Sequence, residues 1–396
     1  MLPKNLIAIT GTNGKTSTVS YCQQLLNFLG HDSVGVGTLG INLIVKGESD
    51  IKESGFTTPP ISVIQESLKE AYDLNIKYCL VEASSHGIHQ KRLGDIKFHI
   101  AAFTSFSNDH LDYHNGTESY LTAKLALFKN QLAKNGCIVL QSDLLKLDLM
   151  QEFIKDYSPK ILSIGKNGDV VINEINSSIN DSYIRFTYQN KKYSFTTKIF
   201  GDYQISNLMI AIFILHKLGF SLNQLLQHTN KLRNAKGRME LITDLSLPFK
   251  IFIDYAHTPD ALEQTLNALL RQLKSPGRLK ILFGCGGDRD KSKRSEMGAI
   301  AAKIAHQAII TDDNPRYENP EIIRAQILSG IITNTANVIE MPDRADAIKF
   351  SVKNLSPNDI LLIAGKGHEH YQIIGDNKIE FDDAKIAIQA IKDYKL

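Results

Sequence analysis

Residues Thr10 to Thr16 of this 396-residue chain read TGTNGKT. They stand between an apolar run, Leu6–Ile9, and a stretch whose apolar residues recur at helical spacing (Val19, Cys22, Leu25, Leu26, Leu29). A glycine-rich turn between a strand and a helix aims backbone N–H groups and a helix N-terminus at an anion. In such a turn Lys15 reaches the β- and γ-phosphates of a nucleoside triphosphate and the Thr16 hydroxyl ligates Mg²⁺. The usual spacing places glycine where this chain has Ile9, so the loop is a variant of the pattern. The competing reading is a helix-capping turn with an incidental lysine.

Further polar clusters follow other apolar runs. Glu82-Ala83-Ser84-Ser85-His86 ends the run Tyr78–Val81, and acids at strand ends of α/β sheets point into the ligand crevice. Asn108-Asp109-His110-Leu111-Asp112-Tyr113-His114 is too polar to be core, since each buried polar group needs a partner. Lys124 falls on a helical pattern and by composition is a solvated lysine. Asp254-Tyr255-Ala256-His257-Thr258-Pro259 leads from a strand into a helix, with Pro259 suited to a first turn. Gly284-Cys285-Gly286-Gly287-Asp288-Arg289 taken alone could be another phosphate nest. Together with Asp312-Asp313-Asn314-Pro315-Arg316 and Gly365-Lys366-Gly367-His368-Glu369 it puts two arginines, an asparagine and a glutamate at three strand ends. That polarity suits an α-amino-acid zwitterion, with guanidinium for the carboxylate and carboxylate for the ammonium.

In this order the motifs resemble the Mur ligase superfamily of ATP-dependent amino-acid ligases, from Ile7 almost to the C-terminus. Within it they are similar to the branch that adds meso-diaminopimelate. The resemblance implies ATP binding by Gly11, Thr12, Asn13, Gly14, Lys15, Thr16 and Ser17, with Asn207, Asp254 and His257 at the base and ribose. It implies metal ligation by Thr16, Glu82, His110 and Lys124, the last as a carbamate formed with CO₂, and Mg²⁺ as the ion. His114 and Asp112 are read as braces of their loop, and Asn108 stands where arginine is common. Gly201-Asp202-Tyr203-Gln204-Ile205-Ser206-Asn207 is similar to the family's G-x-F-N-x-x-N, with Gln204 in place of the first asparagine. Arg238, in Gly237-Arg238-Met239-Glu240, is implied to meet the phosphates as the C-terminal domain closes.

The acceptor, a UDP-muramoyl dipeptide, is implied to be held by Thr57, Thr58, Ser84, Gln90 and Arg92. The incoming diaminopimelate is implied to meet Arg289, Asp313, Asn314, Arg316, Gly365 and Glu369. Lysine lacks the second carboxylate that Arg316 can pair with, and a buried arginine left unpaired discriminates strongly. The implied catalytic set is Lys15, Lys124, His110 and Arg238, acting through an acyl phosphate in peptidoglycan synthesis, with the roles in cell shape and division that follow. Relatives carry a separate N-terminal uridine-binding domain of roughly a hundred residues. Here the phosphate loop opens almost at Met1, and the expectation is that this domain is absent and affinity for the nucleotide sugar reduced. Two other readings stay open: a two-domain ligase similar to folylpolyglutamate synthetase, and a non-catalytic ATP-binding remnant.

These residues need elements to position them. Strand-like Leu6–Thr10, Tyr78–Glu82 and Phe98–Thr104 alternate with helical patterns at 15–29 and 61–74, which predicts a doubly wound parallel sheet. Gly30 is placed to close the first helix. Between about 160 and 200 the segments VVINEINS, YIRFTYQ and KYSFTTKIF alternate polar and apolar residues and predict an added antiparallel ribbon. A helix over Ile205–Leu218 follows. Strands at Phe249–Asp254, Leu279–Gly284, Ala308–Thr311 and Asp359–Ala364, with helices at 259–273, 293–306 and 319–331, predict a second, Rossmann-like α/β domain. The boundary falls near Asn234–Asp244, giving a P-loop-type central domain over 1–237, a C-terminal domain over 238–396 and a cleft between them.

Composition excludes several classes. Lys plus Arg total 45 against 42 Asp plus Glu, a net charge of +3 without a basic stripe, which argues against nucleic acid as partner. Four scattered cysteines, Cys22, Cys79, Cys137 and Cys285, read as reduced thiols. The N-terminal apolar run is too short for a signal peptide, and Leu208–Leu215 falls far short of the about 20 residues that span a bilayer. The expectation is a cytoplasmic monomer.

Overall fold

The computed structural model describes residues 2–243, 247–332 and 337–394. It divides into two compact units, Met1–Asn234 and Ala235–Leu396; Asp244, named in the expected boundary, lies outside the described residues.

The first unit is built on the alternation of its central strand, Asn5–Thr10. Side chains on a strand point to opposite faces in turn. Ile7 and Ile9 enter one core with Val19, Cys22 and Leu25 of the helix Lys15–Phe28 and with Ile205 and Leu208–Leu215 of the helix Asp202–Lys217. Leu6 and Ala8 enter the other, with Ile64 and Leu68 of the helix Ile61–Asp73 and Leu121, Leu125 and Phe128 of the helix Thr117–Gln131. A sheet covered on both faces in this way needs apolar residues at every central position, which is why these strands read as continuous apolar runs. The run Leu208–Leu215 is wholly buried in the first of these cores. No described helix is long and apolar enough to cross a membrane.

Eleven strands form the sheet. Parallel pairing runs through Val170–Asn176, Lys160–Gly165, Leu132–Gln141, Phe98–Phe103, Asn5–Thr10, Tyr78–Glu82 and Ser33–Gly37. At one edge Ser182–Tyr188 and Lys191–Thr197 complete the expected antiparallel ribbon. At the other, Gly40–Val45 and Glu48–Lys52 add two antiparallel strands that the pattern reading does not identify. Gly40–Val45 reads GINLIV, a short apolar run that periodicity alone does not assign to strand or helix. Glu48–Lys52 is exposed throughout and charged, as an edge strand protected from further pairing should be. Gly30 adopts φ 77° just past the first helix, the left-handed stop expected of it.

In the second unit, the strands Lys250–Asp254, Ile360–Ala364, Leu279–Phe283, Gln307–Ile310 and Asn337–Glu340 pair in parallel in that order, with the short Glu240–Leu241 antiparallel at one edge. A separate hairpin, Tyr371–Ile374 with Asn377–Glu380, is absent from the sequence reading. Its strands are short and mostly exposed, so neither length nor alternation betrays them.

One ion pair is sealed inside this unit. Arg344 and Asp383, the first residues of the helices Arg344–Lys353 and Asp383–Tyr394, have fully buried side chains. Arg344 Nε and Nη2 donate to the two Asp383 oxygens at 2.8 and 2.7 Å, and Nη2 also donates to Ala364 O at 2.9 Å. Ala364 ends the strand that leads into Gly365–Glu369, so the pair anchors that loop at its root. Removing one partner strands a buried charge. Asp383→Ala should lower the unfolding free energy of this unit by about 3–5 kcal/mol, read as a reduced urea midpoint by circular dichroism; an unchanged midpoint would refute the assignment.

Candidate active site

In the first unit three polar loops leave the C-terminal ends of three adjacent parallel strands, with Ile9 opposite Glu82 and Thr10 opposite Phe103. Register alone therefore brings together the loop after Thr10, the acid Glu82 and the segment after Phe103.

The first loop is fixed by close approach. Gly11 has φ 148°, and a Cβ there would lie 1.9 Å from Thr104 Oγ1. Gly14 has φ 90°, and its Cβ would lie 2.2 Å from Asn207 Oδ1, so Asn207 packs directly against the loop. Thr12 N donates to Ser105 O at 2.8 Å and Asn13 N to Ser105 Oγ at 3.0 Å. These two amides shape the loop, and the first turn of the Lys15–Phe28 helix is left as its anion-facing part. Ser17 is buried in that turn. Lys15 Nζ donates to Gly11 O at 2.8 Å and Thr12 O at 2.9 Å, lying along the loop it belongs to.

Thr16 Oγ1 donates to Glu82 Oε2 at 2.9 Å, and Glu82 is 1% exposed. Thr38 donates to the same carboxylate through its N–H (3.0 Å) and its hydroxyl (2.9 Å). A buried hydroxyl and carboxylate meeting beside a phosphate-type loop form an oxygen pair that fits a hard cation such as Mg²⁺. The Lys124 side chain is wholly buried, with Nζ 2.9 Å from Gly11 O and 4.3 Å from the centre of the Tyr120 ring. Burial first, then Lys15, holds its amine well below the usual lysine range, while Asp109 opposes this. An unprotonated amine is the form that can react with CO₂. It is far from the solvated lysine its composition implies.

His110 lies at φ 53°, with Nε2 3.4 Å from Asp109 Oδ2 and its ring edge-on to His86. His114 is buried against His86, Tyr113 and Tyr120 and so packs its loop, as expected. The Asp112 side chain lies outside the described residues. Asn108 accepts from Thr117 Oγ1 at 3.2 Å. Among the described residues no group of three or more His, Cys, Asp or Glu stands together as a metal centre. Glu82 and His110 do not form one by themselves.

The five residues expected at the acceptor form one connected patch. Thr58 Oγ1 meets Glu82 O (2.8 Å) and Ser84 Oγ (2.9 Å), Arg92 donates to Thr58 O (2.8 Å) and Gln90 Oε1 (2.6 Å), and the Thr57 and Thr38 hydroxyls meet at 3.0 Å. Thr38 thus links this patch to Glu82, a role with no signature in the sequence. The departure at Gln204 also has a structural reason: its Oε1 accepts from Tyr21 (3.0 Å) and from Asn207 Nδ2 (3.4 Å), holding Asn207 toward Gly14.

In the second unit the Arg238 guanidinium lies 4.3 Å from the centre of the Tyr255 ring. Asp254, expected at the ribose, accepts from Met239 N (2.5 Å) and Ala256 N (2.8 Å), so it braces the turn carrying Arg238. His257 Nδ1 pairs with Tyr255 O at 2.8 Å.

The loops expected at the amino acid do converge. Arg316 Nη1 donates to Gly287 O at 2.7 Å, and a Cβ on Gly286 would lie 2.9 Å from that Nη1, while the stem of the exposed Arg289 passes at ordinary contact distance, its Cγ 3.8 Å from the same point. Asn314 donates to Glu369 Oε2 at 2.8 Å, and Gly365 leaves room for Asp313 Oδ2, 2.9 Å from where its Cβ would stand. Arg316 has φ 52° and is pinned by the unforeseen hairpin, through Arg316 N to Ile373 O (3.0 Å) and Gly375 N to Arg316 O (2.7 Å).

Comparison with known proteins finds matches over both units. Residues 9–215 match the Mur ligase middle domain and residues 237–367 the Mur ligase, glutamate ligase domain. The chain is 46% identical over 392 residues to the UDP-N-acetylmuramoyl-L-alanyl-D-glutamate–2,6-diaminopimelate ligase of Rickettsia rickettsii, covering 98% of this chain and 80% of that relative. It is 47% identical to the Rickettsia bellii protein of the same name, covering 97% and 80%. A solved structure of such a ligase aligns with TM-score 0.68 at 34% identity, over 100% of this chain and 79% of that one. A Mycobacterium tuberculosis folylpolyglutamate synthase aligns with TM-score 0.73 over 91% and 88%, but at 15% identity that likeness is one of fold alone.

The Asp254 carboxyl gives the second unit a pH signature. Burial raises it to about 6 from 3.8, against the pull of Arg238 and the two amides. A carboxyl raised on folding stabilises fully below its unfolded value and loses that contribution as pH rises through its folded one. Asp254 should therefore favour folding below about pH 4 and cease to do so by about pH 6. Its side-chain ¹³C resonance should titrate near pH 6; a midpoint near 4 would contradict the burial argument.

Proposed function

Since the chain belongs to the Mur ligase family, we propose that it joins meso-diaminopimelate to the D-glutamate of UDP-N-acetylmuramoyl-L-alanyl-D-glutamate, with cleavage of ATP to ADP and phosphate, in peptidoglycan synthesis. The observation that supports the reading is that the loops carrying Arg289 and Arg316 meet at Gly286, with Asn314 bonded to Glu369 beside them. Two guanidinium groups suit a substrate with two carboxylates, and Glu369 suits an ammonium.

The chemistry divides between the units. The side-chain carboxylate of D-glutamate attacks the γ-phosphorus of ATP; the P–O bond to ADP breaks and an acyl phosphate forms. Lys15 turns from its loop carbonyls to the phosphates, and the helix dipole behind it favours the charge that builds there. Thr58, Ser84, Gln90 and Arg92 hold the acceptor's polar groups so that its carboxylate is in line, and Asn207 faces the base. Thr16 and Glu82, with Lys124 once carbamylated and His110, would hold Mg²⁺, which when bound neutralises phosphate charge. The diaminopimelate amine, oriented by Glu369 and the arginines, then attacks the acyl carbon. Phosphate leaves, the amine loses its proton, and an amide remains. Arg238 supplies a further positive charge for the phosphates. No covalent enzyme nucleophile enters.

Phosphate release from ATP, with the UDP-muramoyl dipeptide present and either meso-diaminopimelate or L-lysine added, tests the reading. Release dependent on diaminopimelate and not on lysine is expected, and silence with both would overturn it. Arg316→Ala should raise KM for diaminopimelate about 100-fold with ATP binding intact. Unchanged diaminopimelate kinetics would remove Arg316 from the site.

A further inference from the structure

Lys366 is fully buried at the foot of the Gly365–Glu369 loop. Its Nζ donates to Asn314 Oδ1 at 3.0 Å and to Glu369 Oε2 at 3.3 Å. Asn314 Oδ1 also accepts from Ile373 N at 3.0 Å, while Asn314 Nδ2 donates to the same Glu369 oxygen at 2.8 Å. With both donors on Oδ1, the Asn314 amide has one orientation only, and its NH₂ must face the carboxylate. Resting on the ligase reading above, we propose that Lys366 is the positioning residue of the amino-acid site: it sets the Asn314 amide and holds Glu369 as the acceptor for the substrate ammonium.

The surroundings explain why a cation is needed there. Glu369 faces Asp313, Lys366, Tyr255 and Arg344. Burial and the Asp313 carboxylate push its carboxyl up, and Lys366 and Asn314 pull it down. A neutral Glu369 would be a poor partner for an ammonium, so the lysine tilts the site toward the form that binds. Its side chain is itself inaccessible, which excludes direct contact with solvent as its purpose. Lysine at this place also leaves Glu369 its second oxygen, since both contacts fall on Oε2.

The test uses the full chain in the phosphate-release assay. Because it loses a charged hydrogen bond within a buried cluster, Lys366→Met should raise KM for diaminopimelate about 10–100-fold. kcat should change far less, and KM for ATP should stay as it was. The pH below which diaminopimelate KM climbs should move upward, because Glu369 then protonates more readily. Lys366→Arg keeps the charge and should restore the pH position while recovering KM only in part. An Lys366→Met protein with unaltered diaminopimelate KM and pH profile would overturn the proposal, as would equal loss of ATP affinity. If Lys366→Met does not fold, as judged by its thermal melt, Lys366→Arg carries the test, and an unchanged KM in it overturns the proposal. Wild-type protein that releases no phosphate with diaminopimelate overturns the ligase reading and this proposal with it. An active wild type beside an unaffected variant overturns this proposal alone.

Discussion

Glu82 sits at the end of an apolar strand with 1% of its surface exposed, and it is tolerable there only because Thr16 and Thr38 donate to it. Those donors arrive from the helix after the phosphate-type loop and from the turn beyond Ser33–Gly37, so the carboxylate ties three loops to one point. Gly37 is part of the same constraint, because a Cβ there would stand 2.1 Å from Glu82 Oε1. The proposed metal oxygens hang from this carboxylate, and the proposed acceptor patch reaches it through Thr38, while Thr58 bonds to the backbone carbonyl of the same residue. Satisfying one buried charge thus orders the surroundings in which phosphate chemistry would take place.

The second unit solves the same problem with fully buried cations. Arg344 reaches Asp383 and Ala364 O, and Arg294 reaches Glu318 and Gly286 O. Glu318 also accepts from Asp288 N. Arg294 and Glu318 therefore shape the loop that carries Arg289, while Arg344 roots the loop that carries Glu369. Such pairs add little net stability over an apolar packing, but breaking one leaves a buried charge. Their placement beside the binding loops ties loop geometry to the folding of the unit.

The sequence made the doubly wound organisation legible because central strands buried on both faces are apolar throughout, as in Ile7–Ile9 and Leu80–Val81. The site was legible where chemistry demands unusual residues in short spans, as in TGTNGKT and in Asp313–Arg316. What stayed hidden has a common cause. Thr38 bonds to Glu82, Gln204 to Tyr21 and Lys366 to Asn314, each distant in sequence, so the motifs that contain Gln204 and Lys366 do not disclose these partners and nothing near Thr38 marks it. The hairpin over 371–380 is short and exposed, yet it holds Arg316 in a left-handed conformation that its own segment would not choose.

Lys124 and Lys366 show how far residue type underdetermines role. Both are fully buried, and both lie near an aromatic ring, Tyr120 in one case and Tyr371 in the other. Lys124 meets a backbone carbonyl and the like charge of Lys15, with Asp109 opposing, and its amine is driven toward the neutral form. That is the nucleophilic form required for carbamylation. Lys366 meets a carboxylate and an amide oxygen, and its charge has a partner at 3.3 Å. Burial is common to the two and is the larger influence on Lys124; what differs is the company, a carbonyl and a like charge for Lys124, a carboxylate and an amide oxygen for Lys366.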